Sequence, residues 1–187
     1  TNVSALDATQ VAALTETQVK GLTAAQIAGL TTTDIGELSD TQVAALGSTQ
    51  IKSLSETNLS ALTTTQIAAL SATQLKGVTT TQISGLTTTA LGALTETQIA
   101  ALSTAQLKGL NETAIGALTT TQLSGLTPAQ IGSLTSTNLS ALDATQVASL
   151  TDTQIAGLTT VQLKTLSTTD FGELTTTQIA ALTAAQL

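Results

Sequence analysis

The chain contains no cysteine, histidine, methionine, tryptophan or tyrosine, and only one phenylalanine and one proline in 187 residues. Without Cys and His it lacks the usual ligands of zinc, haem and iron–sulfur centres, and neither a Ser-His-Asp nor a Cys-His arrangement can be assembled. Arginine is also missing. Five lysines stand against twelve acids, for a net charge of −7, which argues against nucleic acid as a partner. No run of 18 apolar residues occurs, so no membrane span is expected, and no signal-peptide pattern is visible in these residues. The absence of cysteine removes disulfides as staples and leaves the compartment open.

What remains is narrow. Hydrophobic residues make up 41% of the chain and charged ones 9%, so the composition is not that of a disordered segment. Leu recurs every eight residues from Leu6 to Leu182, with Val78 taking one place, for 23 consecutive positions without an insertion or deletion. Five residues after each of these positions, and at Val3, comes a second apolar residue. These 24 positions, the last being Leu187, hold only Val, Ile, Leu or Phe171. The consensus octad is Leu-Thr-x-Thr-Gln-Ile-x-(Ala/Gly), and no linker or shift in composition interrupts it. The whole of 1–187 reads as a single array of about 23 octapeptide repeats.

The variation within columns shows what an octad does. The residue after Leu is Thr fourteen times and Ser five times, the others being Asp7, Gly47, Asn111 and Asp143. These five residue types are the preferred helix N-caps. Three places on, Gln fills 17 of 24 positions; Asn2, Asp34, Asn58, Ala90, Ala114, Asn138 and Asp170 are the exceptions. Ser/Thr-x-x-Gln is a capping box. Between them, the first helical position carries Glu16, Asp40, Glu56, Glu96, Glu112 and Asp152, where a helix dipole favours acids, and also Pro128, where proline is tolerated. Four columns therefore agree that each octad starts a new short helix.

The period weighs against a continuous α-helix, since eight residues overshoot two turns by about 80° and would wind the apolar stripe around the helix. A β-solenoid is the alternative, because Thr, Ile and Val suit strands and Gly suits corners; it needs a bend in every octad to bring Leu and Ile to one side. The fold expected is an all-α solenoid of short capped helices, stabilised by stacking between octads, because a six-residue helix does not hold alone. Small residues before each Leu are expected to let neighbouring backbones approach closely. Lys20, Lys52, Lys76, Lys108 and Lys164 share one column at spacings of 4, 3, 4 and 7 octads, and Thr1–Leu38 closely matches Thr137–Leu174. These spacings fit a superhelix of about 3.5 octads, or 28 residues, per turn; duplication of 56-residue blocks would produce them equally.

Little of this carries chemistry. The five lysines read as solvated spacers. The pairs Asp34 with Glu37 and Asp170 with Glu173 have the spacing for weak calcium binding, but read better as variant caps. No Gly-rich phosphate loop and no aromatic platform for bases is present. A uniform array offers no unique pocket, so no catalytic, cofactor or metal residues are expected, no small-molecule substrate and no enzyme activity. Thr-x-Thr ranks such as Thr63 with Thr65 resemble those of insect antifreeze β-helices, which implies binding of ice or another surface. If the helical phase holds, however, the first Thr of each pair is occupied as a cap.

The octad, as from Leu62 to Leu70, resembles the Leu-Thr-x-x-Gln-Ile-x-x tandem arrays of very large secreted or surface proteins of Gram-negative bacteria, described as adhesin-like. The resemblance spans the chain and implies an extracellular stalk, spacer or fibre. The calcium-binding nonapeptides of toxin-type adhesins are absent. The array opens and closes within an octad and has no atypical terminal repeat, so a window cut from a longer array, or ends that pair with further copies, is expected. The function expected is structural, with self-association head to tail or side by side; the alternative is a surface-binding module whose Thr rows engage ice or glycan.

Overall fold

A computed structural model describes residues 2–187, with side chains from Val3 onward. Among the described residues there are 22 short α-helices, one per octad from Ala8–Ala12 to Thr176–Ala180, an opening 3-10 turn at Asn2–Ala5, and no strand. The all-α solenoid of capped helices is the observed architecture, and the β-solenoid alternative finds no support.

Each helix starts the way its cap column dictates. At Ser71 the backbone is extended (φ −70°, ψ 158°), and the hydroxyl accepts from the Gln74 amide while the Gln74 side chain accepts from the Ser71 amide. This reciprocal box forms in all but four of the 22 helices. Gly47 has no side chain and keeps only the bond from its own amide to Gln50 Oε1, at 2.7 Å. Helices end within the octad as well. The Leu amide donates to the Ile carbonyl three residues back, as from Leu70 to Ile67 at 3.2 Å, and the next cap residue turns the chain out of helical geometry. No described residue has positive φ, so none of these ends is closed by a left-handed glycine.

The packing divides into two compact units, 1–94 and 95–187. In the first, Glu16–Lys20 packs on Asp40–Ala45, Ala24–Ala28 on Ser48–Ser53, and that helix in turn on Ala72–Gly77. In the second, Glu96–Ala100 packs on Thr120–Ser124 and Pro128–Ile131 on Asp152–Ala156. Every such pair is three octads apart. The Ile column is the innermost, with Ile27, Ile51, Ile83, Ile99 and Ile131 fully inaccessible, and the Leu column lies beside it. Phe171, expected in the same column, is only half-buried.

The glycines do not share one role. A methyl at Gly77 would stand 2.7 Å from the Ser48 carbonyl oxygen, a contact between neighbouring turns, whereas one at Gly92 would meet nothing within 4 Å. Both residues end a helix. Opposite outcomes follow. Gly77→Ala is expected to cost about 1–3 kcal/mol through overpacking against backbone, and Gly92→Ala to gain about 0.4–1 kcal/mol by restricting the unfolded chain. Paired urea titrations check this; equal shifts would show that inter-turn contact does not decide which glycines are needed.

Candidate functional site

The residue that organises the molecule is the Gln of each capping box, because its two side-chain atoms face different turns. Gln82 is representative. Its Oε1 accepts from the Thr79 amide at 2.7 Å, while its Nε2 donates to the carbonyls of Leu54 at 2.6 Å and Ile51 at 3.1 Å. Those carbonyls close the helix Ser48–Ser53, four octads earlier. One amide thus serves the start of one helix and the end of another, both of which expose backbone groups that a short helix cannot pair internally. The bond from the Gln column to a Leu carbonyl 28 residues back runs from Gln42–Leu14 to Gln82–Leu54 in the first unit. In the second it runs from Gln130–Leu102 to Gln186–Leu158. Each helix packs on the third before it and bonds to the fourth, and this straddling makes a turn of 3.5 octads.

The exceptions in this column fall into register. Asp34 and Asn58 lie on the stacked helices Thr32–Gly36 and Glu56–Ser60, and Ala114 and Asn138 on the stacked helices Glu112–Gly116 and Ser136–Leu139. The spacings between exceptions are 24 or 32 residues, so they recur about once per turn. Asn keeps the inter-turn bond: Asn58 Nδ2 donates to Leu30 O at 2.7 Å and Asn138 Nδ2 to Leu110 O at 3.0 Å. Ionised Asp has no proton to give. Asp34 accepts from the Thr31 amide at 2.7 Å, and Asp170 Oδ2 accepts from the Ser167 amide and from the Ser140 hydroxyl, both at 3.0 Å. Asp34 and Asp170 are therefore engaged in capping, whereas Glu173 Oε2 is buried without a hydrogen-bond partner; among the described residues no three metal-ligating side chains gather.

Burial pushes the Asp170 carboxyl up, but the bonds from the Ser167 backbone and side chain and from Ser140 outweigh it and hold the group below the ordinary 3.8. A depressed folded-state value means that the ionised group favours the fold above its unfolded value, and that this contribution disappears as pH falls through the folded one. Asp170→Asn is accordingly expected to flatten the acid limb of the stability curve below pH 3.8. Urea midpoints across that range check it, and an unchanged acid limb counts against the assignment.

The outer surface is made of the cap, first and second helical columns and the lysine column. The five lysines are exposed. Many cap hydroxyls accept from the third-residue amide, as Thr63 Oγ1 does from the Gln66 amide at 3.2 Å, so one of their two acceptor positions is taken. An open groove of about 600 Å³ lies in the second unit, rimmed by Lys108 and Val161.

The chain is a tandem-repeat protein of short stacked helices. Residues 99–136, about one fifth of the chain, match the model of the ALTTAQ repeat family. No curated protein matches the chain. Among the described residues no helix is long and apolar enough to cross a membrane.

Proposed function

We propose that this protein is a non-enzymatic structural element of the cell exterior, a stalk or fibre that self-associates through the ladder that builds its own turns. The observation that carries this reading is the 28-residue rung, which recurs at most Gln and Asn positions from Gln42 to Gln82 and from Gln130 to Gln186, so that one turn is a template for another. A turn of a second copy can make the contact that Gln178 and Gln186 make with the carbonyls of Leu150 and Leu158. Such contacts are heterologous, and they grow into filaments unless the rotation closes a ring. The likeness to adhesin-like arrays supports an extracellular setting. The absence of Arg, Cys, Met, Trp and Tyr suits it too, since trypsin-like proteases and oxidants find few targets.

Electron microscopy and analytical ultracentrifugation of the 187-residue polypeptide test the proposal. Uniform filaments lengthening with concentration are expected. A monomer at every concentration overturns the self-association.

A further inference from the structure

The groove in the second unit is a place where the repeat surface departs from its consensus. It lies along the lysine column where that column is interrupted. Lys108 stands on the helix Thr104–Gly109, Gly132 replaces lysine at the end of Pro128–Ile131, and Lys164 follows on Thr160–Thr165. The first two helices are packed together, and the third is tied to the second by Gln162 Nε2, which donates to the carbonyls of Ile131 and Leu134. A side chain cannot occupy the floor at Gly132, because a Cβ there would collide with the Gly157 carbonyl oxygen. The bare floor is thus fixed by the packing of the turns. Two further departures from consensus converge on it. Ala105 and Val161 both occupy the second helical column, which is otherwise mostly Thr, and Val161 is 66% exposed.

The lining has a definite chemical character. In a chain of net charge −7, no carboxylate lines this groove, whereas the Lys108 ammonium does. Hydroxyls make up much of the remaining wall. Thr104 adds one at the rim, and Ser136 Oγ lies 2.6 Å from Thr165 Oγ1, which also faces the Val161 and Gln162 carbonyls. An ammonium with adjacent hydroxyl donors recognises an anionic oxygen group. The bare glycine floor and the exposed Val161 methyls suit the C–H face of a ring of no great hydrophobicity. The volume is within the range of small-ligand sites, and the groove is open along its length, so it admits a segment of a longer polymer.

We infer that this groove binds an anionic saccharide segment, with its acidic group against Lys108 and a sugar ring over Gly132 and Val161. The assignment does not depend on filament formation, because every lining residue belongs to one unit of one chain.

Titration of the full 187-residue chain with trigalacturonate, with a sulfated heparin-derived tetrasaccharide and with neutral cellotriose, followed by NMR and calorimetry, tests it. Shifts confined to residues 104–108, 132–136 and 159–162 are expected for at least one acidic probe and not for cellotriose; the two acidic probes separate carboxylate from sulfate recognition. Lys108→Gln is expected to weaken binding about tenfold, and Val161→Thr, which restores the repeat consensus at an exposed site, to weaken it several-fold. Lys76→Gln, in the same column of the other unit, is expected to leave it unchanged. No binding of either acidic saccharide at millimolar concentration overturns the inference. So does equal weakening by Lys76→Gln and Lys108→Gln, or preferential binding of hexaglutamate peptide.

Discussion

Replacing Gln82 by Glu is expected to destabilise the first unit more than replacing it by Ala, although Glu is nearly the same size. Gln82 is 4% exposed. Ala removes the acceptor for the Thr79 amide and the donor for the Ile51 and Leu54 carbonyls, at about 2–4 kcal/mol for a lost cap bond and a buried Leu54 carbonyl without a partner, the Ile51 carbonyl keeping its bond from the Leu54 amide. Glu keeps the cap acceptor but sets a carboxylate against those two carbonyl oxygens in a site closed to water, which costs several kcal/mol more than a neutral gap. The pH dependence separates the two variants. Burial and the facing carbonyls raise the carboxyl of Gln82→Glu above its unfolded value of about 4.3, so its deficit is small in acid and grows as pH rises through the folded value. The deficit of Gln82→Ala has no such dependence. Urea denaturation of parent and variants at pH 4 and pH 7 reads both. A Gln82→Glu protein as stable as the parent at pH 7 would show that the inter-turn rung is not a donor from Gln.

The loss is also expected to be local. Turns of a solenoid contact only their neighbours, so stability is close to a sum of nearest-neighbour terms. Faster amide exchange in residues 47–90 with little change in the second unit is the expected pattern in Gln82→Ala.

The capped-helix phase was fully legible in the sequence, because capping is local. Cap, first-turn acid, Pro128 and Gln columns each report on backbone donors a few residues away. The superhelical period was partly legible in the lysine spacings of four, three, four and seven octads, which fit a turn of 3.5. The second role of Gln was not legible. A side chain that satisfies a capping box leaves no residue-level sign that its other atom reaches a carbonyl 28 positions back. The signal lay in the exceptions: Asp34, Asn58, Ala90 and their equivalents are spaced by 24 and 32 residues, once per turn. The glycines misled in part. Gly77, Gly132 and Gly157 admit a neighbouring backbone, whereas Gly85 and Gly125 lie beneath the side chains of Glu56 and Glu96, and Gly36, Gly92 and Gly172 border open space. Nor did the uniform consensus foreshadow the groove, because Ala105, Gly132 and Val161 are far apart in sequence and meet only once the turns stack.

Ile51→Ala is expected to be the most damaging single truncation of the first unit's core, and Ile51→Val among the mildest. Ile51 is inaccessible to solvent and belongs to the helix Ser48–Ser53, which packs against Ala24–Ala28 below and Ala72–Gly77 above. Removing three carbons there opens a cavity shared by three turns. Short helices tied by rungs at both ends have little freedom to collapse into it, which places the cost in the upper part of the 2–5 kcal/mol range for Ile→Ala. Val loses a single methylene, at about 0.5–1.5 kcal/mol, and the column already accepts it: Val19 and Val43 occupy equivalent places with no exposure. The β-branch is common to both residues, so the rotamer and the contact with the next turn are retained. Phe171→Leu is the control, because Phe171 is only half-buried and Leu is frequent in its column; a change within about 0.5 kcal/mol is expected. Thermal and urea unfolding of the three variants reads the order directly. Similar losses for Ile51→Ala and Ile51→Val would mean that the turns relax to fill the space, and that the Ile column is not what fixes their separation.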